Sequence, residues 1–149
     1  SLEDFSIVDV RVFNYFSHTQ DMDARFLITD IVRALKNNEV FKTSSDNIVR
    51  DFVTPPGFYA LIQSIIDFKP INTALDCYTK SPVSKFDLLS ELESKFGLNY
   101  EINESIDIIN ATGSKINYYS TNKIAKDMGY DPINTSLESV IQEINFLGL

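Results

Sequence analysis

The sequence of 149 residues contains a single cysteine and a single histidine. One cysteine excludes an internal disulfide framework, and because Cys77 lies in an apolar run we expect a buried, inert thiol. His18 cannot supply a multi-histidine metal site, and Cys77 would be its only soft co-ligand, so no zinc or iron site is predicted. Polar neighbours place His18 in a solvent-exposed loop. The sparse cysteine usage favours a reducing, cytoplasmic compartment.

Basic residues and long apolar segments are also scarce. The 13 lysines and arginines face 21 acidic residues, which gives a formal net charge of −8. A nucleic-acid backbone would repel such a surface. No apolar run approaches the roughly 18 residues of a membrane span. With 44% hydrophobic residues the chain can bury its own core, so we expect one domain over residues 1–149 that binds neither nucleic acid nor membrane.

Glycines are few and isolated, which excludes a glycine-rich phosphate-binding loop. They stand at positions 57, 97, 113, 129 and 148. Nucleophilic catalysis would require a serine or cysteine and a carboxylate to converge on His18, and no spacing indicates this. Acidic pairs such as Glu91 and Glu93 fall on a predicted helix surface, where solvation is the default. Residue chemistry alone therefore predicts no catalytic residue in this chain.

The pattern that is present alternates strands with helices. Residues 5–14 are rich in β-branched and aromatic side chains and predict a largely buried strand. Apolar residues at helical spacing, with Ser84 and Gly97 as caps of the third segment, predict helices at 23–36, 58–67, 85–96, 121–128 and 137–146. Extended segments are predicted at 39–42, 47–53, 71–78 and 118–119. This order indicates an α/β fold with some parallel pairing.

The first strand is unusually apolar for a strand at the start of a chain. A strand this apolar normally has neighbouring strands on both sides in a sheet, and the sequence contains few other segments that are equally apolar and β-prone. We therefore expect the chain to begin in the middle of a fold.

Five segments, in a fixed order, resemble one known family. Arg11-Val-Phe-Asn14 closes a strand and is followed by a helix near Phe26, and then by Val49-Arg-Asp-Phe-Val53. A strand with a Pro/Ser turn follows, at Leu75-Asp-Cys-Tyr-Thr-Lys-Ser-Pro-Val-Ser84. Last come Tyr119-Ser-Thr-Asn-Lys-Ile-Ala-Lys-Asp-Met-Gly-Tyr-Asp-Pro132 and Ser136-Leu-Glu-Ser139. This layout is similar to the extended short-chain dehydrogenase/reductase family, which includes UDP-galactose 4-epimerase and the dTDP-glucose and GDP-mannose dehydratases.

The resemblance runs from about residue 8 to residue 144 and implies the C-terminal, substrate-binding part of such an enzyme. The implied fold is α/β, with a few parallel strands, including the last strands of the Rossmann sheet, flanking helices and a small substrate-binding lobe. The parent enzyme would use NAD or NADP to oxidise a nucleotide-diphosphate sugar transiently, before epimerisation or elimination. The N-terminal Rossmann half would be the missing partner, and this chain alone would be inactive.

Five residues match family positions that bind the nucleotide sugar. Asn14 and Arg50 match residues that contact the diphosphate, and a guanidinium suits phosphate because it binds oxygens bidentately. Arg25 and Phe26 match the lining of the nucleotide, and Phe41 falls near the position that packs on the base. Structural roles stay open: a strand-end cap for Asn14, a salt bridge from Arg50 to Asp51 or Asp46, and a core aromatic for Phe41.

Departures from the family pattern leave other readings open. No G-x-x-G-x-x-G is present, and a literal Tyr-x-x-x-Lys match, Tyr119 with Lys123, falls far from the catalytic position and is interpreted as a coincidence. Thr54-Pro-Pro-Gly57 replaces the usual V-x-D. The second phosphate-binding arginine, expected near Ala111-Thr-Gly113, is absent. The chain could instead be a degenerate binding or assembly module, or an unrelated α/β domain. As a fragment it should self-associate through its first strand.

Overall fold

The computed structural model describes residues 5–104 and 115–149, as short strands connected by helices. The helices are α1 (Leu27–Asn37), α2 (Pro55–Asp67), α3 (Lys85–Phe96) and α4 (Ser136–Phe146), with a 3-10 helix at Ile124–Met128. The strands are β1 (Val8–Val12), β2 (Asn14–Tyr15), β3 (Phe41–Thr43), β4 (Val49–Arg50), β5 (Phe52–Val53), β6 (Thr73–Cys77), β7 (Val83–Ser84), β8 (Tyr100–Ile102) and β9 (Asn117–Tyr118).

Pairing between the strands is mostly parallel, which confirms the predicted α/β class. β1 pairs with β6 in parallel, from Val8 opposite Thr73 to Val12 opposite Cys77. β2 pairs with β5, and β3 with β8, also in parallel. β4 lies between β7, its antiparallel neighbour, and β9, its parallel neighbour. The parallel connections all run through helices, as the geometry of parallel strands requires.

Helix ends follow the cap residues closely. The Ser84 hydroxyl accepts the Asp87 N–H and starts α3, and Gly97, at φ 72°, ends it. Asn38 adopts the left-handed conformation, with φ 55°, and ends α1. Ser84 accepts a free N–H group of the first helical turn, whereas Gly97 and Asn38 tolerate the positive φ that follows a last turn. Gly129 does the same after the 3-10 helix, with φ 87°.

Three helix predictions needed correction. The helix predicted at 58–67 begins at Pro55, because proline is tolerated in the first helical turn. The first helix begins at Leu27 and not at residue 23, because Asp21 holds a turn by accepting the Asp23 N–H at 2.9 Å. The predicted helix at 121–128 is a 3-10 helix beginning at Ile124, because the Asn122 side chain accepts the Ile124 N–H at 2.9 Å and competes with helical bonding.

The hydrophobic core forms two clusters. The first packs α1, α3 and α4 together and contains Phe16, Ile31, Leu89, Leu92 and Ile144, among others. The second lies between α2, β6 and the 3-10 helix, and includes Leu61, Leu75, Cys77 and Tyr130. Burial raises the pKa of the Cys77 thiol to about 11, so it stays protonated at neutral pH, as expected for an inert core cysteine.

Apolar surface is left uncovered on one side of the second cluster. In the described part of the chain β1 pairs only with β6, and the residues that lead into it, Phe5 and Ile7, are 65% and 60% exposed. α2 is apolar, yet Leu61 is its one buried residue, and Tyr59 and Ile66 are 68% and 69% exposed. Parallel sheets are normally covered on both faces, whereas these apolar side chains beside β1 and on α2 are exposed.

Two kinds of feature are absent from residues 5–104 and 115–149. No helix there has the length and apolar character needed to cross a membrane. No group of three or more potential metal-ligating side chains was found in the same residues.

Ser136 ties α4 to the strands, and its replacement should be costly. It is fully buried, and its hydroxyl accepts the Phe52 N–H at 2.8 Å. Ser136→Ala leaves a buried backbone donor without this acceptor, so we expect the free energy of unfolding to fall by about 1–3 kcal/mol. Urea denaturation measures this. Ser94→Ala, on the exposed side of α3, is the control; equal midpoints for the two variants would contradict the assignment.

Candidate functional site

Two of the sequence-predicted binding residues converge on one short segment, residues 115–118. Asn14, at the start of β2, donates from its side-chain amide to the carbonyl of Tyr118 at 3.3 Å. Arg50, at the end of β4, lies opposite Tyr118 in the parallel β4–β9 pair. Asn14 of β2 and Arg50 of β4 therefore both contact β9, although 35 residues separate them in sequence.

Arg50 is 5% exposed and its guanidinium donates to backbone carbonyls. Nη1 donates to the carbonyl oxygens of Val49 and Ile116, at 2.8 and 3.1 Å, and Nη2 donates to that of Lys115 at 2.9 Å. Burial lowers the pKa of the Arg50 guanidinium, and Tyr118 opposes that shift. An arginine nevertheless stays charged. Three of its five N–H groups are used, so two remain for a further acceptor.

The aromatic ring of Tyr118 lies at the centre of this arrangement. The Phe13 ring meets it edge-on with centroids 5.2 Å apart. The Arg50 Cζ atom lies 5.9 Å from the ring centroid of Tyr118, and the Lys115 ammonium lies 4.6 Å from it. Such distances fit cation–π contacts. Asn14, Arg50, Lys115 and Tyr118, which we call the clamp, thus combine an amide, two cations and an aromatic ring.

Arg50 does not form the salt bridge that was considered as its structural role. Asp51 is buried, and its carboxylate accepts both the backbone N–H, at 3.0 Å, and the hydroxyl of Thr79. Asp46 accepts from the Ser44 hydroxyl at 3.5 Å. In the described residues no salt bridge involves Arg50, so its buried charge is balanced by carbonyl dipoles and not by a carboxylate.

Arg25 and Phe26 lie at the N-terminal end of α1. Both are exposed, and Phe26 is the N-cap residue of the helix. The next residue, Leu27, lines a narrow crevice together with Arg50, Ser84 and Lys85. The start of α1 therefore borders this crevice through Leu27, while Arg25 and Phe26 are not among its lining residues.

Phe41 lies in β3, at the edge of the first core cluster. It is half-buried, pairs in register with Tyr100 of β8, and donates its backbone N–H to the carbonyl of Asn99 at 2.8 Å. Packing against the core gives Phe41 a structural role. Its side chain is only partly buried.

The buried carboxylate of Asp76, in β6, contacts Ser120 and Arg11. Asp76 accepts the Ser120 hydroxyl at 2.6 Å and forms an ion pair with Arg11, whose Nε lies 2.6 Å away. Charged groups that are buried need such partners. Asp76 therefore fixes the Ser120 region to β1 and β6.

His18 does not lie free in solvent, so that prediction is wrong. Its Nδ1 atom and its backbone N–H both contact one oxygen of Glu143, at 2.7 and 2.8 Å, and Glu143 is 3% exposed. The ring also packs on Phe146 at 5.0 Å between centroids. A buried carboxylate on α4 needs a donor, and the loop after β2 supplies it.

Lys123 lies over a different tyrosine from the one in its sequence motif. Its ammonium lies 3.6 Å from the ring centroid of Tyr78. Burial lowers the pKa of Lys123, while Asp51 and Asp76 raise it. Lys123 and Tyr78 line an open cavity of about 170 Å³, with Lys80, Lys126 and Tyr130.

Sequence reasoning missed Lys115 and Tyr118 as members of the site. Residues 118–119 were predicted only as an extended stretch, and no local pattern indicated which side chain would face Arg50. The position expected for a second phosphate-binding arginine, residues 111–113, lies outside the described residues.

Three comparisons bear on this geometry. No family model matches the sequence, and no curated protein sequence matches it either. Among solved structures, the chain resembles UDP-glucuronic acid 4-epimerase from Bacillus cereus in complex with UDP-glucuronic acid and NAD. The TM-score is 0.77 at 15% identity, over 96% of this chain and 45% of that chain.

Two more enzymes give similar values. UDP-glucose 4-epimerase from Thermotoga maritima, with UDP-glucose, superposes with a TM-score of 0.75 at 14% identity, over 95% of this chain and 45% of that one. UDP-N-acetylglucosamine 4-epimerase from Bacillus cereus gives 0.73 at 11%, over 97% and 47%. The chain has the fold of UDP-sugar 4-epimerases. It spans just under half the length of these epimerases, and the predicted resemblance to nucleotide-sugar epimerases is confirmed at the level of fold.

Removing the guanidinium should destabilise this epimerase fold. Arg50→Ala takes the donor away from the carbonyls of Lys115 and Ile116, so we expect the free energy of unfolding to fall by about 3 kcal/mol. Thermal and urea denaturation measure the change. Arg25→Ala, which removes an exposed arginine, is the control. If both variants unfolded at the same urea concentration as the unaltered protein, Arg50 would not hold β9 in place.

Proposed function

We propose that this chain is the nucleotide-sugar-binding part of an NAD- or NADP-dependent sugar epimerase or dehydratase. The observation that carries the proposal is the convergence of Asn14 and Arg50 on β9, in a fold shared with enzymes that bind UDP-sugars. A diphosphate needs cationic and amide donors at one place, and the clamp provides them.

Within this proposal each of the five predicted residues contacts a part of the nucleotide sugar. Arg50 offers its two remaining N–H groups to a phosphate oxygen, and Asn14 positions β9 and reaches the same group. Arg25 and Phe26 border the nucleotide from the edge of the crevice, and Phe41 packs on the base. These roles follow from the family resemblance and from the location of the side chains.

The cofactor belongs to the part that this chain does not contain. NAD is present with the Bacillus cereus UDP-glucuronic acid 4-epimerase, and the described residues contain no glycine-rich loop that could seat its pyrophosphate. We infer that residues 1–149 act as one substrate-binding domain in a cytoplasmic enzyme, and that the catalytic base and NAD or NADP reside in an N-terminal Rossmann half. Alone, the chain would bind the sugar nucleotide without turnover.

The uncovered apolar surface supports this division. The exposed Phe5 and Ile7 beside β1, and the exposed side of α2, are what a second half of the sheet and its helices would cover. Without that half the same surface would attract another copy of the chain.

UDP binding tests the proposed function. We expect the protein to bind UDP and UDP-glucuronic acid in isothermal titration calorimetry, and to bind uridine more weakly because the diphosphate contacts are lost. Asn14→Ala should weaken UDP binding about tenfold, since a hydrogen bond to a charged group is removed.

Asn145→Ala is the matched control, because Asn145 is an exposed asparagine in the last turn of α4, on another element. A well-folded protein that binds neither UDP nor UDP-glucuronic acid would reject the proposal. It would also favour the second candidate, a binding or assembly module that keeps the fold. The observation that favours this candidate is that Arg50 is almost fully buried and already has three carbonyl acceptors.

Self-association is a separate prediction. We expect dimers or larger species in analytical ultracentrifugation at high micromolar concentration, because apolar surface on α2 is exposed. Ile66→Lys should shift the distribution towards monomer. Ile133→Lys, at a position that is also exposed but far along the chain from α2, should not. A monomer for the unaltered protein at that concentration would show that the α2 surface is not adhesive.

A further inference from the structure

Three of the nine lysines in the sequence surround one cavity. Lys80, Lys123 and Lys126 are exposed residues, and they line the open space of about 170 Å³ beside Tyr78, which we call the lysine cavity. They gather there in a chain whose formal net charge is −8. No residue of the clamp lines this cavity. It is therefore a concentration of positive charge separate from the proposed nucleotide-sugar site.

The lysine cavity lies at the carboxyl end of β6. Tyr78 directly follows Cys77, the last residue of β6, and β6 runs parallel to β1. Lys126 belongs to the 3-10 helix, and Lys123 is the residue just before it. Folds of the α/β class place their ligand sites in the crevice beyond the carboxyl ends of parallel strands. The cavity thus has the position of a ligand site as well as the charge of one.

Hydrogen bonds fix the backbone around the cavity. The Tyr130 hydroxyl donates to the carbonyl of Tyr78 at 2.6 Å, and the two buried rings meet edge-on with centroids 5.1 Å apart. The backbone N–H of Lys80 donates to the carbonyl of Asn134 at 2.9 Å. These contacts join the end of β6 to the residues that follow the 3-10 helix. The lining is therefore in place before a ligand binds.

The three ammonium groups have no ionic partner in the part of the chain that the structure describes. No salt bridge among residues 5–104 and 115–149 involves Lys80, Lys123 or Lys126. The Lys123 ammonium lies 3.6 Å from the ring centroid of Tyr78, a cation–π contact that leaves its charge in place. An ammonium group is a compact point charge with three donors, so each lysine can donate to an anion.

The carboxylates around the cavity differ in whether they can meet a ligand. Asp51 and Asp76 are buried and accept hydrogen bonds from Thr79 and Ser120. Asp131 is exposed, and it is the one carboxylate among the described residues that line the cavity. Within the lining itself, three ammonium groups therefore face a single carboxylate.

The size and the charge of the cavity limit its ligand. A volume of about 170 Å³ is well below the roughly 300 Å³ at which ordinary small-molecule pockets begin, so the ligand is a small ion. Ammonium groups form strong, charge-assisted hydrogen bonds with phosphate oxygens. Hydrogenphosphate also carries an O–H group that can donate to the Asp131 carboxylate, whereas sulfate has no such donor.

We propose that the lysine cavity is a binding site for inorganic phosphate, separate from the clamp. Lys80, Lys123 and Lys126 donate to phosphate oxygens, and Asp131 accepts from the protonated oxygen. The bound ion connects the end of β6 to the 3-10 helix, so phosphate binding also stabilises the folded chain.

A nuclear magnetic resonance titration with sodium phosphate at neutral pH, with sodium chloride holding the ionic strength constant, tests the proposal. We expect saturable shifts of backbone amides at residues 78–80 and 123–131. The dissociation constant should be millimolar, because a few charge-assisted hydrogen bonds must offset the cost of immobilising the ion. Sodium sulfate should bind about tenfold more weakly, and Asp131→Asn should reduce that difference.

Lysine variants separate the proposed contacts from general attraction of anions. Lys123→Ala and Lys126→Ala should each weaken phosphate binding about tenfold, and Lys123→Arg should retain it because the charge is kept. Lys126 is exposed, so its variant tests the site even if Lys123→Ala disturbs the packing on Tyr78. Lys69→Ala is the matched control and should leave the affinity unchanged, because Lys69 is likewise exposed beside an aromatic ring but lies outside the cavity.

Four results would overturn the proposal of a phosphate site in the lysine cavity. The first is shifts that do not saturate or that sodium chloride alone reproduces, and the second is saturable binding that neither lysine-to-alanine variant weakens. The third is equal affinity for sulfate, which would reject phosphate as the ligand. The fourth is shifts centred on residues 115–118, which would place the ion in the clamp instead.

Discussion

The buried guanidinium of Arg50 is the contact on which the candidate site depends. It donates to the carbonyls of Lys115 and Ile116, just before β9, and so reinforces the β4–β9 pairing. A carboxylate partner would have neutralised the charge of Arg50, whereas the carbonyl oxygens fix the guanidinium in position and leave it positively charged. Under the proposed function, Arg50 therefore supports the fold and contacts the ligand with the same side chain.

The buried carboxylates of Asp51 and Asp76 bind other partners and not the Arg50 guanidinium. Asp51 is bound by Thr79, and Asp76 by Ser120 and Arg11, so neither carboxylate is available to Arg50. Both bonds also connect the end of β6 or the residues after it to other segments. The fold is well closed around the first core cluster and open beside β1 and α2, where apolar side chains face solvent. This asymmetry supports the proposal that the chain contributes one half of a larger sheet.

Most elements were predictable from local patterns, and the site was predictable only in part. Ser84 and Gly97 marked both ends of α3 because caps act within one turn. Local patterns did not show that the Asn122 side chain would accept the Ile124 N–H and compete with backbone hydrogen bonding, so the 3-10 helix there was predicted as a longer helix. The family resemblance pointed to Asn14 and Arg50 as site residues. Tyr118 and Lys115 join them through pairing between strands that are distant in sequence, and the periodicity of side chains along the chain does not predict such pairing. The His18–Glu143 contact spans 125 residues and was missed for the same reason.

The most direct test of the central claim is a residue-resolved nuclear magnetic resonance titration with UDP, following backbone amides and the Arg50 guanidinium. If the clamp binds the diphosphate, the largest shifts should occur at Asn14, Arg50 and residues 115–118, with smaller ones at Arg25 and Phe26. Shifts confined to the Tyr78–Lys123 cavity, or no saturable shifts at all, would contradict the claim that Asn14 and Arg50 form a nucleotide-sugar site.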